Sequence, residues 1–309
     1  MPARSDLRAS PPAPGFSDAR VGDFLRDGAR AVDAELDRLL PTPAQEDGGI
    51  PAAMRYTALA PGKRIRPLLT LAVADLYGVP RSESLPAACA IEMVHACSLI
   101  LDDLPCMDNA DLRRGLPANH QVKGEATAIL AAFALLNRAY GLLAGAAAEV
   151  EEPAQSEVGR CLSRALGTEG VIGGQALDLA EDSPRADLDR LERIHSRKTG
   201  SLFIASVEVG AILGRSPLSE RGALVAFAKN LGLAYQILDD WLDATGSPRT
   251  LGKPSGKDGR GNFVTLVGAE GAKGLADELV ACALDHLRPL GTRGVLVAGL
   301  AFEISRRSR

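Results

Sequence analysis

Two aspartate clusters, Asp102-Asp103-Leu104-Pro105-Cys106-Met107-Asp108 and Asp239-Asp240-Trp241-Leu242-Asp243, each interrupt an otherwise apolar, helix-like stretch. They constrain the chain more than any other feature, because carboxylates are rarely buried unless paired or bound to metal. One such cluster alone could be a solvated helix end. Two of nearly the same pattern suggest two helices facing each other across a hard cation such as Mg²⁺, which prefers oxygen ligands. On a helix Asp239 and Asp243 share a face, with Asp240 beside them, and like charges at that spacing cost stability unless a cation neutralises them. Asp102 and Asp108 fall about 120° out of alignment on a regular helix. Pro105 cannot continue one, so Asp108 is expected to reach the site from a distorted last turn.

The rest of the chain reads as helix. Ala and Leu dominate, aromatics are only 4%, and alternating β-branched stretches are scarce. Segments 85–101, 126–148, 202–213 and 223–242 are apolar nearly all round, as befits the centre of a bundle. Pro80, Pro117, Pro153, Ser183-Pro184, Ser216-Pro217 and the Gly/Pro-rich stretch 246–261 punctuate them. The expectation is an all-α protein, a single large helical bundle of about ten or more helices. Residues 1–20, rich in Pro, Ala and Ser, read as a disordered tail, and residues 21–309 as one domain. The apolar run 126–136 is broken by Asn137 and Arg138 and looks too short to span a bilayer. A net charge of −4 offers no general surface for nucleic acid. The five cysteines form no CxxC pair and four lie in apolar helix-like runs, which suggests reduced core thiols in a cytoplasmic protein.

Cations gather beside the acids and at turns. Lys63, Arg64 and Arg66 lie between Pro61-Gly62 and Pro67; Arg113-Arg114-Gly115 follows the first acidic cluster; Lys198-Thr199-Gly200 opens a helical run; Lys253, Lys257 and Arg260 follow the second cluster. Arginine forks match phosphate oxygens and lysine adds a point charge. No GxxxxGK[ST] or GxGxxG pattern is present. Acidic metal sites with separate cations fit a diphosphate held by Mg²⁺ and Lys/Arg, and two basic sets suggest two diphosphates. One would sit between the acidic clusters, the other near Lys63, Arg66 and Arg114. Apolar walls imply a hydrocarbon substrate whose diphosphate leaves a carbocation in a dry pocket. His95, seven residues before Asp102, is either a core histidine or a donor to a diphosphate oxygen.

The ordered motifs APGKRIRP (60–67), HACSLILDDLPCMD (95–108), DLRRG (111–115), GEATAIL (124–130), GGQALDL (173–179), RKTGSLF (197–203), YQILDDWLD (235–243) and LGKPSGKD (251–258) resemble those of the trans-isoprenyl diphosphate synthases, most of all the bacterial carotenoid-type geranylgeranyl diphosphate synthases. The resemblance implies an isoprenoid-synthase bundle around a central cavity and a homodimer. It implies head-to-tail condensation of isopentenyl diphosphate with dimethylallyl, geranyl or farnesyl diphosphate, using three Mg²⁺ ions. By it, Asp102, Asp103, Asp108, Asp239, Asp240 and Asp243 hold metal. Arg113, Lys198 and Lys257 grip the allylic diphosphate, with Lys253 beside them. Lys63, Arg66, His95 and Arg114 hold isopentenyl diphosphate, while Thr199 and Gln236 line the reacting carbons.

Two stretches depart from the pattern of many relatives. The helix after GEATAIL lacks a Gly-Asp pair, and Arg260-Gly261-Asn262-Phe263 stands where relatives often show Lys-Ser-Thr-Tyr. The small Cys97 and Ser98, five and four residues before Asp102, imply a deep pocket and a C20 product, with Met93 and Phe133 as candidate floors. Farnesyl diphosphate synthesis and a non-catalytic partner subunit are the alternatives. A class I terpene cyclase is disfavoured because it needs no second diphosphate site and its second metal motif usually carries Asn and Ser/Thr.

Overall fold

The computed structural model describes residues 19–148, 154–180, 187–245 and 262–306. Among them run thirteen α-helices: α1 Ala19–Leu39, α2 Ile50–Ala58, α3 Ile65–Leu76, α4 Arg81–Asp102, α5 Asn119–Lys123, α6 Glu125–Ala148, α7 Ala154–Leu166, α8 Val171–Leu179, α9 Leu188–His195, α10 Ser201–Leu213, α11 Leu218–Thr245, α12 Phe263–His286 and α13 Val295–Ser305. The all-α expectation holds, and α1 begins two residues before the boundary set for the tail. The exception is a hairpin of two-residue strands, β1 Leu112–Arg113 and β2 Leu116–Pro117.

Helix α4 is the axis of the bundle. It is covered by α6 on one side and α3 on another, while α10 packs on α3, α7 and α11, and α11 packs on α12. Its apolar surface is nearly continuous, from Ala87 through Val94 to Ile100. Helix α10 is buried almost all round, from Ser201 to Leu213. Helix α1, by contrast, buries one stripe, Val21, Gly28, Val32, Leu36 and Leu39, the spacing of a helix lying on a surface. One apolar cluster joins α1, α2, α4, α6, α7 and α10. A second joins α3, α10, α11, α12 and α13. The site lies where α4, α8, α10 and α11 end or bend.

The structure corrects two expectations about α6. The helix runs through Asn137 and Arg138 to Ala148, as the segment 126–148 suggested, and so exceeds the run 126–136 judged too short for a bilayer; the Arg138 Nε donates to the Leu39 carbonyl at 3.1 Å. By length and composition alone, α4 and α6 are therefore both long and apolar enough to cross a membrane. In this fold α4 is the mostly buried core helix. Phe133 is not a pocket floor. The inward stripe of α6 is Ala128, Ala131, Ala132, Leu135, Ala139 and Leu143, and Phe133 lies off it, 63% exposed.

Candidate active site

The first acidic cluster is shaped by the end of α4. After Asp102 the chain turns back, and the Asp108 N–H donates to the Asp102 carbonyl at 2.9 Å while the Asn109 N–H donates to Leu104 at 3.0 Å. This compact loop over Pro105 is the distorted last turn expected from the proline. It sets Asp102 and Asp108 side by side, 3.8 and 3.9 Å from the Lys198 ammonium. Asp103 points the other way. It is 2% exposed, and the Arg113 Nε donates to both of its oxygens, at 2.9 and 3.0 Å. Asp103 and Arg113, expected to hold metal and diphosphate respectively, are here committed to each other and brace the loop.

Lys198 sits in a five-residue π turn, Ser196–Gly200, between α9 and α10. Such wide turns are uncommon and cluster at functional sites. This one presents neighbouring side chains to both acidic clusters. The Lys198 Nζ donates to Asp178 Oδ2 at 2.6 Å. The Thr199 hydroxyl donates to Gln236 Oε1 at 2.9 Å, and Gln236 Nε2 donates to Asp240 Oδ1 at 3.0 Å. The Phe263 N–H, at the start of α12, donates to the other Asp240 oxygen at 3.1 Å. Asn262, within the stretch that departs from many relatives, caps α12 through a reciprocal pair of bonds with Thr265. Asp239 and Asp243 lie on the same helix face as this relay, as the four-residue spacing predicts.

Burial governs the charge of both clusters. It pushes Asp102 up to about 6; Lys198 opposes that rise and Asp108 adds to it. It likewise pushes Asp240 up to about 6, against the hydrogen bonds from Gln236 and Phe263, with Asp243 and Asp178 adding repulsion. Asp178 thus acts on both clusters. Among the described residues no three His, Cys, Asp or Glu side chains are already gathered into a coordination cage. The Lys198 ammonium instead supplies the positive charge near Asp102, Asp108 and Asp178. An all-oxygen donor set around one cation suits Mg²⁺, so Asp102 and Asp108, with Asp239 and Asp243 opposite, fit the metal role.

A second cation pocket is built around His95, two turns before Asp102 on the same face of α4. The hairpin turn Arg114-Gly115 has both residues in the left-handed region (φ 54° and 77°), the geometry of a tight two-residue β-turn. It sends Arg113 to Asp103 and its neighbour Arg114 to His95. Arg114 and Arg66 each place a guanidinium nitrogen 3.3 Å from His95 Nε2. Guanidinium only donates, so Nε2 accepts from both. His95 is held neutral, far below its usual range, by burial and then by Arg66 and Arg114. In this arrangement His95 does not offer Nε2–H to a diphosphate; it gathers the two arginines. Arg66 is 8% exposed and lies 4.9 Å over the Phe203 ring and 5.8 Å over Tyr235. Lys63 is exposed nearby in the sequence, just before α3.

Of the depth-setting residues, Cys97 and Met93 are buried on α4, and the Ser98 hydroxyl donates to the His95 carbonyl at 2.9 Å. Lys253 and Lys257 lie outside the described residues. Two residues of the site went unassigned in the sequence reading, Asp178 and Glu92. Each is an acid isolated within an apolar stretch of its helix, the same signal that singled out the clusters, but without an adjacent acid to reinforce it.

A family model for polyprenyl synthetase matches residues 49–279. The chain belongs to the polyprenyl synthetase family. It is a polyprenyl diphosphate synthase, a prenyltransferase. It is 44% identical over 268 residues to the Arabidopsis thaliana chloroplastic heterodimeric geranylgeranyl pyrophosphate synthase large subunit 1, covering 84% of this chain and 71% of that protein. Its fold matches an FPP/GFPP synthase from Zymomonas mobilis, with a TM-score of 0.83, 36% identity and coverage of 93% of this chain and 99% of that one. It also matches the geranyltransferase of Helicobacter pylori complexed with magnesium and isoprenyl diphosphate, with a TM-score of 0.81, 32% identity and coverage of 96% and 98%.

Proposed function

We propose that this synthase condenses isopentenyl diphosphate with an allylic diphosphate and releases mainly geranylgeranyl diphosphate. The observation that carries the reading is the pair of distinct cation groups: Lys198 among Asp102, Asp108 and Asp178, and Arg66 and Arg114 gathered on His95. Asp102, Asp108, Asp239 and Asp243 would hold Mg²⁺, three ions by the motif resemblance, and the metal would supply positive charge that favours departure of the allylic diphosphate. Lys198, held in place by Asp178, reaches the same diphosphate, while Arg66 and Arg114 fix the second substrate with its double bond toward the reacting carbon. The allylic C–O bond ionises, the isopentenyl double bond attacks, and a proton leaves to the departing diphosphate.

Product length follows from α4. Small Cys97 and Ser98 lie about 6–8 Å below Asp102 along the helix, and Met93, buried one turn deeper, closes the pocket. The Arabidopsis relative, named for geranylgeranyl diphosphate, supports C20; the Zymomonas neighbour, named for FPP and GFPP, makes C15 the competing outcome.

Residues Leu130, Phe133 and Tyr140 are exposed along α6 at 53%, 63% and 40%. We assign this apolar face to a second copy of the chain, forming a homodimer. The five free cysteines, with Cys89, Cys97 and Cys161 buried, suit a reducing cytoplasm, and the motif resemblance supports a role in carotenoid-type synthesis. The test is incubation with Mg²⁺, isopentenyl diphosphate and each of three allylic primers, with products sized after dephosphorylation. The reading requires a mainly C20 alcohol; absence of elongation with every primer refutes it.

A further inference from the structure

Glu92 is a carboxylate with 2% exposure in the middle of apolar α4, one turn before His95. Arg64, itself 3% exposed, donates to it at 2.7 Å, and Arg64 is pinned further by Asp33 at 2.7 Å and the Ala60 carbonyl at 3.0 Å. On its other side Glu92 lies 3.8 Å from the Arg114 guanidinium. Its charge is also felt by Arg66. One buried anion therefore lies beneath three arginines, two of which form the second diphosphate pocket.

The three arginines are not equally fixed. Arg64 is locked on all sides. Arg114 hangs from the tip of the hairpin, its side chain 24% exposed, and its guanidinium packs against Gly62, where any Cβ would come within 2.8 Å of it. His95 is neutral and gives Arg114 only a lone pair. Glu92 is the one carboxylate recorded within ion-pair distance of Arg114 among the described residues. Without it, the locked Arg64 keeps only the half-exposed Asp33 as counter-charge and repels Arg114 outward.

We propose that Glu92 is the positioning residue of the homoallylic diphosphate site: through its contacts with Arg64 and Arg114 it holds the Arg114 guanidinium beside Arg66 on His95, preorganised for the second diphosphate. The proposal rests on the reading that Arg66 and Arg114 bind isopentenyl diphosphate. Its consequence is selective, because Glu92 pairs with Arg64 and Arg114, whereas Lys198 pairs with Asp102, Asp108 and Asp178.

The test compares three variants by steady-state kinetics with each substrate varied in turn. Glu92→Gln should raise KM for isopentenyl diphosphate about tenfold or more, the scale of a lost charge-assisted contact, and leave KM for the allylic substrate unchanged. The double variant Arg64→Leu/Glu92→Leu replaces the buried ion pair with apolar volume, a change that folds tolerate well. It should melt near the wild-type temperature yet keep the raised KM, because Arg114 still lacks its carboxylate. A double variant with wild-type KM would show that Glu92 serves only to neutralise Arg64, and would overturn the proposal. So would a Glu92→Gln enzyme whose isopentenyl KM is unchanged or lower. Arg114→Ala separates the two layers of the argument. If it raises that KM and Glu92→Gln does not, only the role of Glu92 falls; if Arg114→Ala leaves that KM unchanged, the assignment of the pocket falls with it.

Discussion

Replacing Cys97 with phenylalanine puts the pocket argument under direct strain. Cys97 is 5% exposed on α4, five residues before Asp102, and Met93 lies one turn further down, about 6 Å along the axis. That step is close to the length of one five-carbon unit, so an aromatic ring at 97 should remove one unit and shift the product from C20 toward C15. The stability change decides whether the ring has entered the substrate pocket or the protein core. Forcing it into packed core should cost about 1–3 kcal/mol, and each kcal/mol lowers the melting temperature by roughly 2–4 °C in chains of this class. A ring projecting into substrate space should cost far less. The assay pairs product sizing after dephosphorylation with a thermal melt of the purified variant. The expected result is mainly C15 alcohol with a melting temperature within a few degrees of wild type. A variant that still makes mainly C20 would show that the floor is not set by the α4 face carrying Cys97.

Other expectations concern the opposite wall and the surface. Asp178→Asn removes the 2.6 Å partner of Lys198, a charge-assisted contact worth about 1.5–3 kcal/mol. The allylic KM and the Mg²⁺ requirement should both rise about 10- to 100-fold, with the isopentenyl KM unchanged; equal increases in both KM values would contradict the placement of Asp178. The pH dependence has a definite sign. Asp102 and Asp240 are pushed up to about 6, so between about pH 4 and 6 the folded chain binds more protons than the unfolded one. Their contribution favours the fold at low pH and is lost as pH rises through 6. Mg²⁺ with inorganic pyrophosphate needs these carboxylates ionised, so it should raise the melting temperature at pH 7.5 and much less at pH 5; a larger rise at pH 5 would refute the account. Phe133→Glu, on the exposed face of α6, should convert a dimer to a monomer in light scattering, and an unchanged mass would place the interface elsewhere.

Much of this protein was legible from local chemistry. The helices follow from Ala/Leu-rich apolar runs. The break at Pro105 was foreseen because proline cannot donate to the helical ladder, and Asp108 does fold back onto Asp102. What escaped the sequence depends on tertiary direction. Phe133 sits in an apolar run, but only the neighbours of α6 reveal that its face is outward. Asn137 and Arg138 made the apolar run 126–136 look too short for a bilayer, yet α6 carries them through to Ala148, with Arg138 donating to the Leu39 carbonyl. Asp103 and Arg113 each matched an expected ligand type; no spacing rule shows that they choose each other. The hairpin that sends Arg113 and Arg114 to different sites rests on Arg114 adopting a left-handed backbone, which the local sequence announces only through Gly115. Glu92 and Asp178 carry the signal of a lone acid in apolar surroundings, which points to a buried partner without naming it.

The central claim is that Lys198 and the Arg66–Arg114 pair serve two different diphosphates. The most direct measurement varies each substrate against Lys198→Ala and Arg66→Gln and reads the two KM values separately. The account predicts that Lys198→Ala raises the allylic KM alone and Arg66→Gln raises the isopentenyl KM alone. If both substitutions raise the same KM, the two sites are one and the account is wrong.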